Sequence, residues 1–192
     1  MARTGMSDLI SQIRVYCNLG TSDYTLGTAT HWSDDQIQTI LDKYRTTVVE
    51  EELLSIENSV GGGSIQYKEF HSGYGKYEQT TGGSAIFIIQ DSTGTSIGTS
   101  NWTMDYAQGI LTFSADQQGS SRYITGRSYD LNNAAADIWK IKAGAYAEAV
   151  NFSTDNMRVD RSDLIKHCFD MSREFASKGQ SKTIDMIRDD SE

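Results

Sequence analysis

Apolar positions in the last third of the chain follow a helical period twice. At about 100° per residue, Ala134, Ile138, Ile141, Ala145 and Phe152 fall on one stripe, and Ala135, Trp139, Ala143, Tyr146 and Val150 fall on another. A surface helix of an isolated small domain needs one apolar stripe, so the second is expected to meet another chain or an inserted subdomain. Trp139, Ala143, Tyr146 and Val150 are therefore the candidate intersubunit face, with the alanines and Gly144 allowing close backbone approach. A further helix is predicted from Ser162 to Lys178, with Gly179 at its C-terminus. Its residues Leu164, Ile165, Cys168, Phe169, Met171, Ser172 and Phe175 make an apolar face opposite Lys166, Asp170, Arg173 and Glu174.

Two helices are predicted at the start. Ser7 can cap the first, which carries Leu9, Ile10, Ile13 and Tyr16 and ends near Asn18 and Gly20. Ser33 followed by Gln36 is a capping box, and Asp34 and Asp35 stand in the first turn, where the helix dipole favours negative charge. Ile37, Ile40, Leu41, Tyr44 and Val48 share a face, and the pattern predicts a second helix continuing to about Ile56. Glu50, Glu51 and Glu52 read as a solvated turn.

Gly61, Gly62 and Gly63 break that pattern. From there to Tyr129, β-branched and aromatic residues alternate with polar ones, predicting strands over 65–70, 76–80, 85–90, 102–106, 110–114 and 122–129. The last three are expected to form a meander turning at Gly109 and Gly119. The fold class is then α+β: a bundle of about four helices with an antiparallel β module inserted between the second and third. The expected divisions are a helical platform in two halves, 1–60 and 130–179, the β module at 61–129 and a polar tail at 180–192.

Composition narrows the chemistry. A net charge of −9 argues against a partner held through phosphates, because such binding needs clustered Lys and Arg. No run of about 18 apolar residues is present and the first residues form no apolar h-region, so neither a membrane span nor a signal peptide is expected. Cys17 and Cys168 lack metal-type spacing and are expected to be reduced and buried. His31, His71 and His167 lie in separate segments, none with another ligand at i+3 or i+4, so no metal or other cofactor is expected. No phosphate-binding loop or nucleophile elbow occurs, and paired acids such as Asp34 and Asp35 serve helix termini. The expectation is a protein that is not an enzyme. About half of the insert aromatics, Trp102 and Phe113 among them, are expected in its own core, but Tyr74 and Tyr77, flanked by glycines, are candidate contacts.

One resemblance bears on function. Tyr129-Asp130-Leu131, the run Ala134-Ala135-Ala136-Asp137-Ile138-Trp139-Lys140-Ile141-Lys142-Ala143, then Asn151-Phe152-Ser153-Thr154-Asp155 and the helix from Ser162 resemble the C-terminal half of head-to-tail connector (adaptor) proteins of tailed bacteriophages. Trp32-Ser33-Asp34-Asp35-Gln36-Ile37 adds a weaker match, and the middle region departs from the compact all-helical members. The resemblance implies a structural protein of the virion neck, present in the host bacterial cytoplasm before assembly. It implies a ring, typically of twelve copies, with the portal protein above and a stopper or tail-completion protein below. DNA passes through such a ring without specific binding, which an acidic chain suits. In that family the C-terminal segment docks on the portal, making Ile184, Met186, Ile187 and Arg188 the candidate portal contacts. The alternative is a β-type recognition module of a tail appendage, binding a glycan or a receptor, with the helices as support.

Overall fold

The helix signal at Ser33 folds as its sequence requires in the computed structural model, which describes residues 2–20, 25–26, 29–30, 32–60, 64–79, 86–148, 152–154, 157–159 and 162–179. The Ser33 amide donates to Gln36 Oε1 at 2.8 Å, and the Gln36 amide donates back to Ser33 Oγ at 3.3 Å. The helices are α1 (Ser7–Tyr16), α2 (Asp34–Lys43), α3 (Leu131–Glu148) and α4 (Ser162–Lys178). The strands are β1 (Thr25–Leu26), β2 (Ala29–Thr30), β3 (Arg45–Glu52), β4 (Leu54–Ser59), β5 (Ile65–His71), β6 (Ile88–Asp91), β7 (Trp102–Asp105), β8 (Ile110–Phe113), β9 (Arg122–Tyr129), β10 (Phe152–Thr154) and β11 (Met157–Val159). The fold is α+β, with the main β module between α2 and α3, as the sequence pattern predicts.

The second helix is shorter than predicted. It stops at Lys43, and the segment expected to continue it to Ile56 forms β3 and β4 instead. Thr46, Thr47, Val48 and Val49 are a β-branched run, stiff at χ1 and better suited to a pleated surface. Strand β9 then supplies a long antiparallel partner, from Arg45↔Tyr129 to Glu52↔Tyr123, with a bulge between Val48 and Glu51. The β structure therefore begins at Arg45, not Gly61. Glu51 is no solvated turn either: it accepts hydrogen bonds from Ser72 Oγ at 2.8 Å and the Gly73 amide at 3.0 Å. Ser7 is the first residue of α1 and not its cap, because a 3₁₀ turn over Thr4–Met6 already winds into the helix.

Two sheets share the module's core. Their strand orders are β3-β9-β6 and β4-β5-β8-β7, all antiparallel. Strands β7 and β8 form the predicted hairpin at Gly109, whose φ of +78° suits glycine. The expected three-strand meander does not form: β9 leaves β8 and pairs with β3 and β6. Asp116 and Gln117 hold the crossing to β5, with the Tyr67 amide donating to Asp116 Oδ1 and the Gln117 amide to the Tyr67 carbonyl. The strand predicted over 76–80 shrinks to a single bridge, Tyr77↔Ser128, and Thr80 is outside the described residues.

Burial separates two clusters. Helical residues including Met6, Leu9, Ile13, Ile37, Leu41, Ala134, Ile138 and Cys168 form one, and Val48, Phe70, Tyr77, Phe87, Ile89, Leu111, Phe113 and Ile124 form the other. Each fully buried large side chain contributes about 1.5–3 kcal/mol. Helices pack mainly on helices and strands on strands. The module leaves and returns on adjacent strands: Arg45 faces Tyr129, and the Asp130 amide donates to the Tyr44 carbonyl at 3.1 Å.

Candidate functional site

The second stripe of α3 turns inward. Trp139 and Ala143 are buried in the helical cluster, and Tyr146 is half-buried against it. This corrects the expected intersubunit face; its fourth member, Val150, is outside the described residues. The reason is α4, which packs along α3 and covers that stripe, while α1 and α2 approach the rest of the helix. The ring of Trp139 meets that of His167 edge to face at 5.8 Å, and Lys142 Nζ lies 4.7 Å from the Trp139 ring centre. Lys142 is itself buried and donates to the Cys17 carbonyl at 3.2 Å. At the other end of the pair, Asn132 Nδ2 donates to the Lys178 carbonyl at 3.1 Å, fixing the register.

The apolar side chains left on this helix pair are different ones. Ile141 of α3 and Leu164 and Phe169 of α4 are 45, 47 and 45 % exposed. Gly144 is exposed as well, and a Cβ there would meet nothing within 4 Å. Leu164 and Phe169 were expected on the covered face of α4, but Ile165, Cys168, Met171, Ser172 and Phe175 suffice to fill it.

Tyr77 is likewise not a surface contact. It is buried in the β cluster, edge-on to Phe87 at 5.5 Å, with its hydroxyl 2.6 Å from Ser72 Oγ. Burial pushes its phenol above the ordinary value, against the opposing effect of the Ser72 bond. Tyr74 stays half-buried at the module's edge. The candidate portal contacts Ile184, Met186, Ile187 and Arg188 are outside the described residues, as is His31.

A charged network with no local sequence signature sits between helices and strands. Glu78 is 1 % exposed, and it accepts from Arg3 Nε at 2.8 Å and from the Tyr129 hydroxyl at 2.8 Å. The Arg3 guanidinium also grips Asp42 of α2 with two bonds of 2.7 and 3.0 Å, and donates to the Tyr129 oxygen at 2.9 Å. Arg127 NH1 stands 3.5 Å from Glu78. The Asp42 hydrogen bond and the bond to Glu78 raise the Arg3 pKa against partial burial. Burial opposes ionisation of Asp42, but bonds and charge from Arg3 outweigh it and hold the carboxyl below its usual range. Desolvation and the bond to Glu78 push the Tyr129 phenol above its ordinary value. These partners lie 39 to 126 residues from Arg3 in sequence, so no local pattern could announce them.

Among the described residues no group of three or more His, Cys, Asp or Glu side chains converges as a metal site. His71 Nε2 is engaged with Glu69 at 2.7 Å, and Cys17 and Cys168 are both buried. Among the described residues no helix is long and apolar enough to cross a membrane. A cleft of about 230 Å³ between α1 and the β module is lined by Asp8, Gln12, Gln79, Asp105 and Tyr106 among others. No protein-family model matches the chain, and no curated protein does.

Proposed function

We propose that the chain is a structural subunit of a phage neck, a head-to-tail adaptor that forms a ring between the portal and a stopper or tail-completion protein. The observation that carries the reading is the α3–α4 pair itself. It is where the sequence resembles the connector family, and its surface leaves Ile141, Leu164 and Phe169 exposed although its interior is complete. Exposed apolar side chains of this size on a finished helix pair suit contact with another subunit. The ring would have about twelve copies, as the resemblance implies, and a chain of net charge −9 would let DNA pass without holding it.

The rival reading, a glycan- or receptor-binding β module, loses support where Tyr77 is buried and only Tyr74 of the two candidate contacts reaches the surface. Solution mass, alone and with portal-bearing heads, separates the two. A ring that joins heads supports the adaptor. A monomer that binds immobilised glycan and ignores heads overturns it.

A further inference from the structure

The two hydrophobic clusters share no residue, and the chain crosses between them at two adjacent points, Tyr44–Arg45 and Tyr129–Asp130. A pair of neighbouring strands fixes where such a joint lies, but rotation about it must be opposed by other contacts. The segment 3–6, ahead of α1, supplies them. On the helical side, Met6 is fully buried, the Arg3 amide donates to Gln38 Oε1 at 2.6 Å, and the Arg3 guanidinium holds Asp42. On the module side, Arg3 holds Glu78, and the Gln79 amide donates to the Gly5 carbonyl at 3.1 Å. A Cβ on Gly5 would lie 2.2 Å from the Gln79 carbonyl oxygen, so the segment lies flat against residue 79. Gln79 Nε2 adds a bond to Asp8 Oδ2.

The geometry points to a latch: segment 3–6, anchored in the helical platform by Met6, fastens the β module through Arg3 and Gly5, and loss of those two contacts lets the module turn about the β3–β9 joint while both hydrophobic cores stay folded. The network is built so that Arg3 can leave. A buried carboxylate stripped of all partners is strongly destabilising, but Glu78 keeps Arg127 of its own module at 3.5 Å, whereas the bond from Tyr129, whose ring lies in the helical cluster, spans the joint together with that from Arg3. The side chains of Arg3 and Asp42 are 32 and 29 % exposed, so water can take over their ends of the contact.

Two amides next to each other report on this. The Gln79 N–H bonds across the joint to Gly5, whereas the Glu78 N–H bonds within the module to the Arg127 carbonyl. In the full chain, Arg3→Gln should speed hydrogen exchange at Gln79 by about tenfold or more and leave Glu78 and Ile124 unchanged. Spin labels at Thr103→Cys in β7 and Arg173→Cys in α4, both exposed positions, should give a broader distance distribution than in the labelled parent. Arg3→Lys, which keeps the charge without the two-pronged grip, should show an intermediate rise at Gln79. Unchanged Gln79 exchange in both variants overturns the latch. So does exchange rising together at Gln79, Glu78 and Ile124, because the module would then be unfolding and not turning.

Discussion

Trp139 of α3 packs edge to face on His167 of α4, with ring centres 5.8 Å apart and planes at 82°. The bulk of the indole is buried, so it serves the chain's own core. Trp139→Ala is expected to cost about 3–5 kcal/mol in denaturant unfolding, whereas His167→Ala, at an exposed position, is expected to change stability far less. Equal, small losses for both would show that α4 does not cover this stripe.

Assembly is tested at the residues that remain outside. Leu164→Asp and Phe169→Asp should abolish any ring detected by native mass spectrometry while leaving the melting temperature of the monomer within a few degrees. Rings at wild-type abundance in both variants would remove α4 from the interface.

Gly144 and Gly109 should respond to alanine with opposite signs. Gly144 lies in the interior of α3 with open space around it, so Gly144→Ala should stabilise the subunit by about 0.5–1 kcal/mol. If a neighbouring subunit packs there, the same change should weaken the ring, and the split between monomer stability and assembly identifies the contact. At Gly109 the φ is +78° and a Cβ would lie 1.9 Å from the Tyr74 carbonyl oxygen. Gly109→Ala should therefore destabilise the module by more than the roughly 1 kcal/mol of left-handed backbone strain alone.

The parts of this fold that local chemistry dictates are legible in sequence. The Ser33 capping box, the β7–β8 hairpin at Gly109, the start of α4 at Ser162 and the whole of β9 follow from caps, turns and periodicity. Strand β3 is not legible in the same way. Val48 stands four residues after Tyr44 and so continues a helical stripe, no Gly or Pro marks the end of α2, and the deciding partner, β9, lies about 80 residues away in sequence. Trp139 and Tyr77 fail for a related reason: periodicity shows that a side chain is apolar on one face, but not which element covers that face. Glu78 is the extreme case. Nothing around it in sequence distinguishes it from a solvated carboxylate, and its partners Arg3 and Tyr129 are distant in the chain.

Raised phenols set an alkaline limit. Burial, with help from the Asp137 bond, pushes Tyr44 up to about 12, and burial also places Tyr77 and Tyr129 above the ordinary value. The folded state thus prefers the neutral phenols, so their contribution is complete below about pH 10 and is lost as pH rises through the raised values. Circular dichroism and phenolate absorbance should change together above that point for the buried Tyr77 and Tyr129, which ionise as the fold opens. Asp42 sets the opposite limit. Its pKa is lowered, so its contribution is present above about pH 4 and lost as pH falls through the folded value. Arg3→Gln should flatten that acid limb, and by removing a charge that favours the Tyr129 phenolate it should push the Tyr129 part of the alkaline limb higher.

The β module should be removable only at its true ends. Arg45 and Tyr129 are opposite one another in the β3–β9 pair, and Tyr129 belongs to the helical cluster, so a short Gly/Ser turn replacing 46–128 joins points that are already neighbours. Such a chain should keep its helical circular dichroism and stay monodisperse at the subunit level, at the cost of the Glu78 contact to Arg3. Cutting at the glycines, by replacing 62–128, should behave worse. That version retains β3 and β4 without β9 or β5, leaving two strands with unpaired backbone edges, which is a template for aggregation. A soluble product from the 62–128 replacement together with an aggregating one from 46–128 would mean that β3 and β4 belong to the helical platform after all.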